Sequence, residues 1–292
     1  MDLITVFNRY PDQEACIEHL EKVRWNGKPH CPHCGCTHVA QKQDGDRVGR
    51  WNCHGCKSSF NVLSGSIFEK TRIELQKWFL GIAIIINAKK SVSSCQLARD
   101  LDLTQPTALR MQRCIRAAMM TSDKSFLQGI VEADETYVGG KPRKGNNRDN
   151  DKPGKRGRGT KKVPVIGAVE RGGGSVFAQV AENLNEKGIS AFLKNNVDPQ
   201  GTLLITDEYR GYNAAKKIYQ SATINHQKSY ADGDTHTNTI EGFWALVKRA
   251  WYGSHHHYST RWMPLYIAES CWKYNHRNNG DAFGSFMRGC FS

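Results

Sequence analysis

Residues 131–140 read VEADETYVGG, and their two-residue alternation marks a β-strand that runs out into a glycine pair. On such a strand Glu132 and Asp134 project to one face, and Val131, Ala133 and Glu135 to the other. A carboxylate near a strand end is common in any protein, so its meaning depends on the rest of the chain. Residues 163–169 and 176–180 read as two more strands separated by the turn at 171–174, and 186–195 reads as a helix. Residues 202–205 form a buried strand that runs straight into Thr206, Asp207 and Glu208. Residues 209–219 read as a helix and Ile224 as a short strand. Residues 234–249, DTHTNTIEGFWALVKR, then place Asn238 and Thr239 as helix-start residues ahead of Ile240, Phe243, Trp244 and Val247 at helical spacing. Glu241 and Lys248, seven residues apart, share one face of that helix. This order predicts an α/β domain built on a mixed sheet.

The chain ahead of this domain carries a different signal. Cys31 and Cys34 form one C-x2-C pair, Cys53 and Cys56 a second, with eighteen residues between the pairs. Four soft thiolates at this spacing suit a closed tetrahedral zinc site that folds its module rather than catalyses. His33, Cys36 and His54 are nearby spares of lower rank. Helical patterns follow over 73–87, from Ser93 or Ser94 to Leu101, and from Thr104 to Ala118. The last two are joined by a short break, and the second bears Arg110, Arg113 and Arg116, which reads as a helix-turn-helix. Such helix pairs also occur in cores that never meet DNA. Expected boundaries are 1–68 for the N-terminal segment and ribbon, 69–122 for the helical region and 123–292 for the α/β domain; taken as a whole the chain is α+β.

The 292 residues carry 41 basic and 28 acidic side chains, a net charge of +13, which points to a polyanionic partner. Residues 141–162, KPRKGNNRDNDKPGKRGRGTKK, hold ten basic and two acidic residues, a net +8. Lys155, Arg156 and Arg158 in this run are expected to grip phosphates without reading sequence. The alternative is a solvated linker. No apolar run is long enough to span a membrane, and the first residues lack the layout of a signal peptide. A cytoplasmic protein with thiols and metal ligands rather than disulfides is expected.

VEADETYVGGK, LLITDEYRGY, ADGDTHTNTIEGFWALVKR and the later CWKYNHR resemble the DDE transposases of bacterial insertion sequences. RWNGKPHCPHCG with WNCHGCKSSFNVLSGSIFEKT is similar to the N-terminal ribbon of the zinc-ribbon-bearing group related to Merlin elements. The likeness spans about residues 8–278. It implies a ribonuclease-H-like catalytic domain with Asp134, Asp207 and Glu241 as metal-binding triad, and Lys248 as a DNA contact, with Arg249 beside it. Asn238 competes with Glu241 for the third position; Glu132, Glu135, Glu208, Asp232 and Asp234 are further candidates.

Three such acids are expected to hold two magnesium or manganese ions that activate a water or 3′-hydroxyl and stabilise the leaving oxygen. The implied reaction is strand cleavage at each transposon end followed by transfer to target DNA, in a homodimer or larger synaptic complex. Two other readings stand beside it: an inactive transposase-derived DNA-binding regulator, and a structure-specific nuclease of the same fold.

Overall fold

A computed structural model of the chain describes residues 1–42, 49–121, 125–139, 162–224 and 236–291. The hairpin tip 43–48, most of the basic run with Lys155, Arg156 and Arg158, and Asp232 and Asp234 lie outside the described residues. Two compact units are present: residues 1–122 with 276–292, and residues 123–275. Among the described residues no helix is long and apolar enough to cross a membrane.

The first unit begins with α1 (Leu3–Arg9) and α2 (Gln13–Trp25), started by Asp2 and Asp12, whose carboxylates accept the backbone N–H of Thr5 and Ala15. Asn26, left-handed at φ 45°, ends α2. Strands β1 (Val39–Gln41), β2 (Arg50–Cys53) and β3 (Ser59–Asn61) form an antiparallel ribbon. Its inner face packs Trp51 and Phe60 edge-on against Trp25 of α2. Helices α3 (Leu75–Asn87), α4 (Ser94–Asp100) and α5 (Gln105–Met120) come next, and residues 101–104 make the turn between α4 and α5 at the break in the apolar pattern.

The boundary expected at 123–292 departs from the structure at its C-terminal end. The last helix, α9 (Ala282–Gly289), packs on α2, α3 and α5, because Phe283, Phe286 and Met287 form an apolar face that these helices bury. The ribbon and the helical region likewise cluster as one unit.

The second unit is a five-stranded sheet in the order β6-β5-β4-β7-β8. Its strands are β4 (Ile130–Val138), β5 (Val163–Glu170), β6 (Val176–Val180), β7 (Leu203–Thr206) and β8 (Gln220–Thr223). The β4–β5 and β5–β6 pairs are antiparallel; β4–β7 and β7–β8 are parallel. Helix α6 (Glu186–Asn196) covers one face with Ile189, Phe192 and Leu193 against Val131, Ala133 and Leu204. Helices α7 (Asn238–Arg249) and α8 (Met263–Asn275) cover the other, with Phe243, Trp244, Val247 and Ile267 against Val165 and Val169. Both faces of the central strand are thus buried, as a mixed sheet sandwiched by helices requires.

Residues 209–219, expected as one helix, form two single 3-10 turns at Arg210–Tyr212 and Ala215–Lys217. The Asp207 carboxylate takes the Tyr209 N–H at 2.9 Å, with Tyr209 extended ahead of the first turn, and the Tyr209 ring folds over Gly211, where a Cβ would lie 2.4 Å from it.

Candidate active site and structural metal centre

Parallel pairing of β4 with β7 matches Ile130 to Leu203, Val131 to Leu204 and Glu132 to Ile205. Two residues past the last pair, Asp134 is still in β4 and Asp207 is the first residue after the end of β7, so the register brings the two near each other. Oxygens of Asp134, Asp207 and Glu135 all lie within 4.8 Å of one another. The sheet therefore joins two acids that are 73 positions apart in the chain.

Each aspartate has one oxygen held by a donor of the protein. Trp244 Nε1 donates to Asp134 Oδ2 at 3.0 Å, and the Tyr209 backbone N–H donates to Asp207 Oδ1. On the α6 side, the buried Tyr212 hydroxyl donates to Glu135 Oε2 at 3.2 Å. Burial, and then the charges of Glu135 and Asp207, push the Asp134 carboxyl up to about 7, against the lowering effect of the Glu135 backbone N–H and the Trp244 N–H. Crowded, half-buried carboxylates repel one another, and a hard divalent cation relieves that repulsion with the ligand type it prefers. The donor set fits magnesium or manganese.

Glu241 stands outside this three-acid cluster. Its carboxylate is exposed and accepts from Thr237 Oγ1 at 3.2 Å. Asn238, its competitor, is also exposed. The helix that carries both is fastened to β4 at two points. The first is Glu132, whose side chain is fully buried and accepts from the backbone N–H of Thr239 and Ile240, each at 2.9 Å, and from Thr239 Oγ1. Arg171 Nε completes that carboxylate's shell at 2.6 Å, with His236 Nδ1 at 3.4 Å. A carboxylate at a helix N-terminus satisfies the unpaired N–H groups of the first turn and meets the positive end of the helix dipole. The second point is the Trp244 bond to Asp134. Glu132 is therefore the anchor of α7 rather than a member of the acid cluster, and Glu241 lies between the two fastenings.

Of the other acids weighed, Glu208 is exposed. Lys248 and Arg249 are exposed at the end of α7. Arg110 is exposed on α5 and Arg113 is half-buried, but Arg116 is not on that surface. It is 1% exposed, with Nη1 3.5 Å from Gln112 Oε1 and Nη2 3.4 Å from Ser91 Oγ. Six residues of helix rotate Arg116 about 120° from Arg110, into the core. It is a structural arginine that ties α5 to the turn before α4.

In the ribbon, the sulfurs of Cys31, Cys34, Cys53 and Cys56 all lie within 4.8 Å of one another. Cys31 Sγ is 3.7 Å from Cys56 Sγ, and Cys34 Sγ is 3.6 Å from Cys53 Sγ. Tetrahedral zinc with bonds of about 2.3 Å places neighbouring sulfurs about 3.8 Å apart. Hydrogen bonds from Ser58, side chain and backbone, push Cys56 down to about 6, and the Cys56 N–H lowers Cys53. Both effects favour thiolates at Cys53 and Cys56, whereas Cys34, against the lowering effect of the Cys36 backbone, is pushed up to about 12, with its hydrogen bond to Cys53 the first of the raising causes. His33, Cys36 and His54 are not part of the four-sulfur group.

Residues that the sequence pattern passed over include Trp244 as a donor, Gly167, Tyr212, Arg171 and His236. Trp244 had one usable signal, its place three residues after Glu241 on the same side of the helix. Arg171 and His236 had none, since the first lies in a turn and the second in a loop.

A cysteine ribbon ahead of a mixed sheet with paired aspartates is the arrangement of a metal-dependent DDE-type nucleotidyl-transfer enzyme. Residues 126–275 match the ISXO2-like transposase domain and residues 11–59 the transposase zinc-ribbon domain. The chain belongs to this family of zinc-ribbon-bearing DDE transposases. It is 30% identical over 247 residues to an uncharacterized protein in transposable element ISH50 of Halobacterium salinarum, covering 81% of this chain and 82% of that one. Among solved structures it is similar to the catalytic core domain of BIV integrase, with TM-score 0.32 and 14% identity over 53% of this chain and 85% of that one. A Mos1 transposase paired-end complex with left transposon end gives TM-score 0.29 and 14% identity, covering 68% and 74%. The protein is an insertion-sequence transposase, and its ribbon is a structural zinc site.

Proposed function

We propose that this transposase cleaves DNA at the ends of its mobile element and joins the freed 3′ ends to target DNA, with Asp134, Asp207 and Glu241 as the acids that hold its catalytic magnesium or manganese. The observation that carries this reading is the convergence of Asp134 and Asp207 across the β4–β7 register, with ligand oxygens within 4.8 Å. Bound there, divalent cations activate the attacking water or 3′-hydroxyl and stabilise the leaving oxygen. The chain's own part is to fix the acids: Trp244 and the Tyr209 N–H orient one oxygen of each aspartate, and Glu132 holds the N-terminus of the helix that carries Glu241. Glu241 lies three residues from Trp244, about 60° around the helix, whereas Asn238 lies about 120° away, which favours Glu241 as the third ligand.

A second reading has its own support. Glu135 already lies in the acid cluster, so it competes with Glu241 for the cation. Lys248 and Arg249 on α7, Arg110 and Arg113 on α5 and the run 141–162 with Lys155, Arg156 and Arg158 supply the cationic surface for transposon ends and target DNA. A homodimer or larger synaptic complex follows from the need to process two ends together. In an assay with magnesium and DNA carrying the element's ends, the wild-type chain is expected to nick and join. Asp134→Asn and Asp207→Asn should bind the same DNA and do neither. Loss with Glu241→Gln and retention with Glu135→Gln would assign the third ligand to Glu241, and the reverse would assign it to Glu135. Cleavage by either aspartate variant at the wild-type rate would overturn the assignment.

A further inference from the structure

Antiparallel pairing of β4 with β5 places Gly167 opposite Asp134. Its neighbours in β5, Ile166 and Ala168, face α6, whereas Gly167 faces α7 and has no side chain there. A Cβ at Gly167 would lie 2.6 Å from Trp244 Cη2, 2.8 Å from Cζ2 and 3.3 Å from the Cβ of Ala178. These first two approaches are well inside van der Waals contact and involve a ring that is 3% exposed. The indole edge therefore occupies a slot that a glycine leaves open. Lying there, it carries Nε1 across to the next strand, to 3.0 Å from Asp134 Oδ2.

The chemistry of that contact is one-sided. An indole N–H donates and cannot accept, so it always meets a lone pair of the carboxylate and never shares a proton with it. It thereby fixes the Asp134 rotamer and occupies a single oxygen. Tyr209 does the same for Asp207 through a backbone N–H at 2.9 Å. The two acids are thus oriented by donors from opposite sides, one from α7 and one from the turn after β7.

We propose that Trp244, seated in the slot left by Gly167, is a positioning residue for strand transfer, holding one oxygen of Asp134 so that the other is presented to the catalytic cation. This rests on the assignment of Asp134 as a metal ligand. The mechanism of action is through Asp134 alone: the indole neither touches DNA nor takes part in the chemistry. Its removal should therefore be felt as weaker metal binding rather than as a slower reaction once metal is bound.

The test uses the full chain, with Mn2+ binding read by electron paramagnetic resonance and strand cleavage titrated with Mg2+. Trp244→Phe keeps a ring in the slot and removes the N–H. It should raise the half-saturating concentration of either metal roughly tenfold, the loss of one charge-assisted hydrogen bond, and the Mg2+ dependence of cleavage should shift with it. Gly167→Ala keeps the N–H and displaces the ring, and should raise half-saturation in the same sense, which guards the test against a fold effect special to one variant. Half-saturation unchanged in both variants overturns the proposal, as does a loss of cleavage that no Mg2+ concentration restores while half-saturation stays at the wild-type value. Asp134→Asn separates the two levels: if it binds Mn2+ like wild type, the ligand assignment itself fails, whatever the Trp244 variant does.

Discussion

The cysteine site and the aspartate site differ in how far along the chain their residues lie. Cys31, Cys34, Cys53 and Cys56 fall within 26 residues, and each pair closes on itself over a single turn. Asp134 and Asp207 are 73 positions apart and become neighbours only because β4 and β7 pair in parallel with one particular register. The first site is a property of a short sequence plus a metal. The second is a property of a folded sheet, and it has to survive the electrostatic cost of crowding acids before any cation arrives. Perturbations should separate the two sites sharply.

The largest effect expected is on the ribbon. Structural zinc in small modules contributes on the order of 10 kcal/mol of binding free energy, which is also folding free energy. Chelation, or Cys31→Ser with Cys56→Ser, should unfold β1 to β3 and leave the five-stranded sheet folded. Hydrogen exchange that showed both units melting together would break the contrast between the two sites.

Next is catalysis. Asp134→Asn or Asp207→Asn should lower strand cleavage by roughly a thousandfold or more with little change in DNA affinity, measured side by side on one labelled duplex. A smaller but still large effect is structural. Glu132→Ala leaves Arg171 and the first N–H groups of α7 without their buried acceptor, and should cost about 3–5 kcal/mol in urea unfolding. A cost under about 1 kcal/mol would mean that α7 is held by its apolar face alone.

The pH response sharpens the electrostatic side of the comparison. The Asp134 carboxyl rises from its ordinary 3.8 to about 7, so the folded protein holds that proton more tightly than the unfolded chain does. Metal-free stability should therefore fall as pH rises from about 4 to about 7, with the penalty fully present above 7. Its size is on the order of 4 kcal/mol. Asp134→Asn should flatten this slope, and saturating Mg2+ should offset it. A metal-free protein whose stability is flat over that range would contradict the crowding.

The smallest effects lie on α5. Arg110→Ala should weaken DNA binding by about 1 kcal/mol with no loss of stability, while Arg116→Ala should lower stability and affect DNA only through folding.

Much of this architecture was legible along the chain. The cysteine spacing, the α4–α5 turn, the strands at 163–170 and 176–180 and the α7 apolar stripe all follow from local pattern, where one side chain and its near neighbours suffice. What was not legible depends on tertiary contact. Glu132 reads as a spare acid until the start of α7 is set against it, and Arg116 reads as a surface cation until the helix phase is known. The extended Tyr209 ahead of the turns at 210–217 is tied to Asp207 by a bond that composition does not reveal. The packing of α9 with the N-terminal unit is also invisible to spacing, since nothing in the pattern of Phe283, Phe286 and Met287 names the surface that buries them.

Anomalous diffraction from crystals of the full chain grown with Mn2+ tests the central claim most directly. A peak with oxygens of both Asp134 and Asp207 within about 2.5 Å, and a Glu241 oxygen completing the set, is the predicted result. A peak elsewhere, or one bound by neither aspartate, would contradict it.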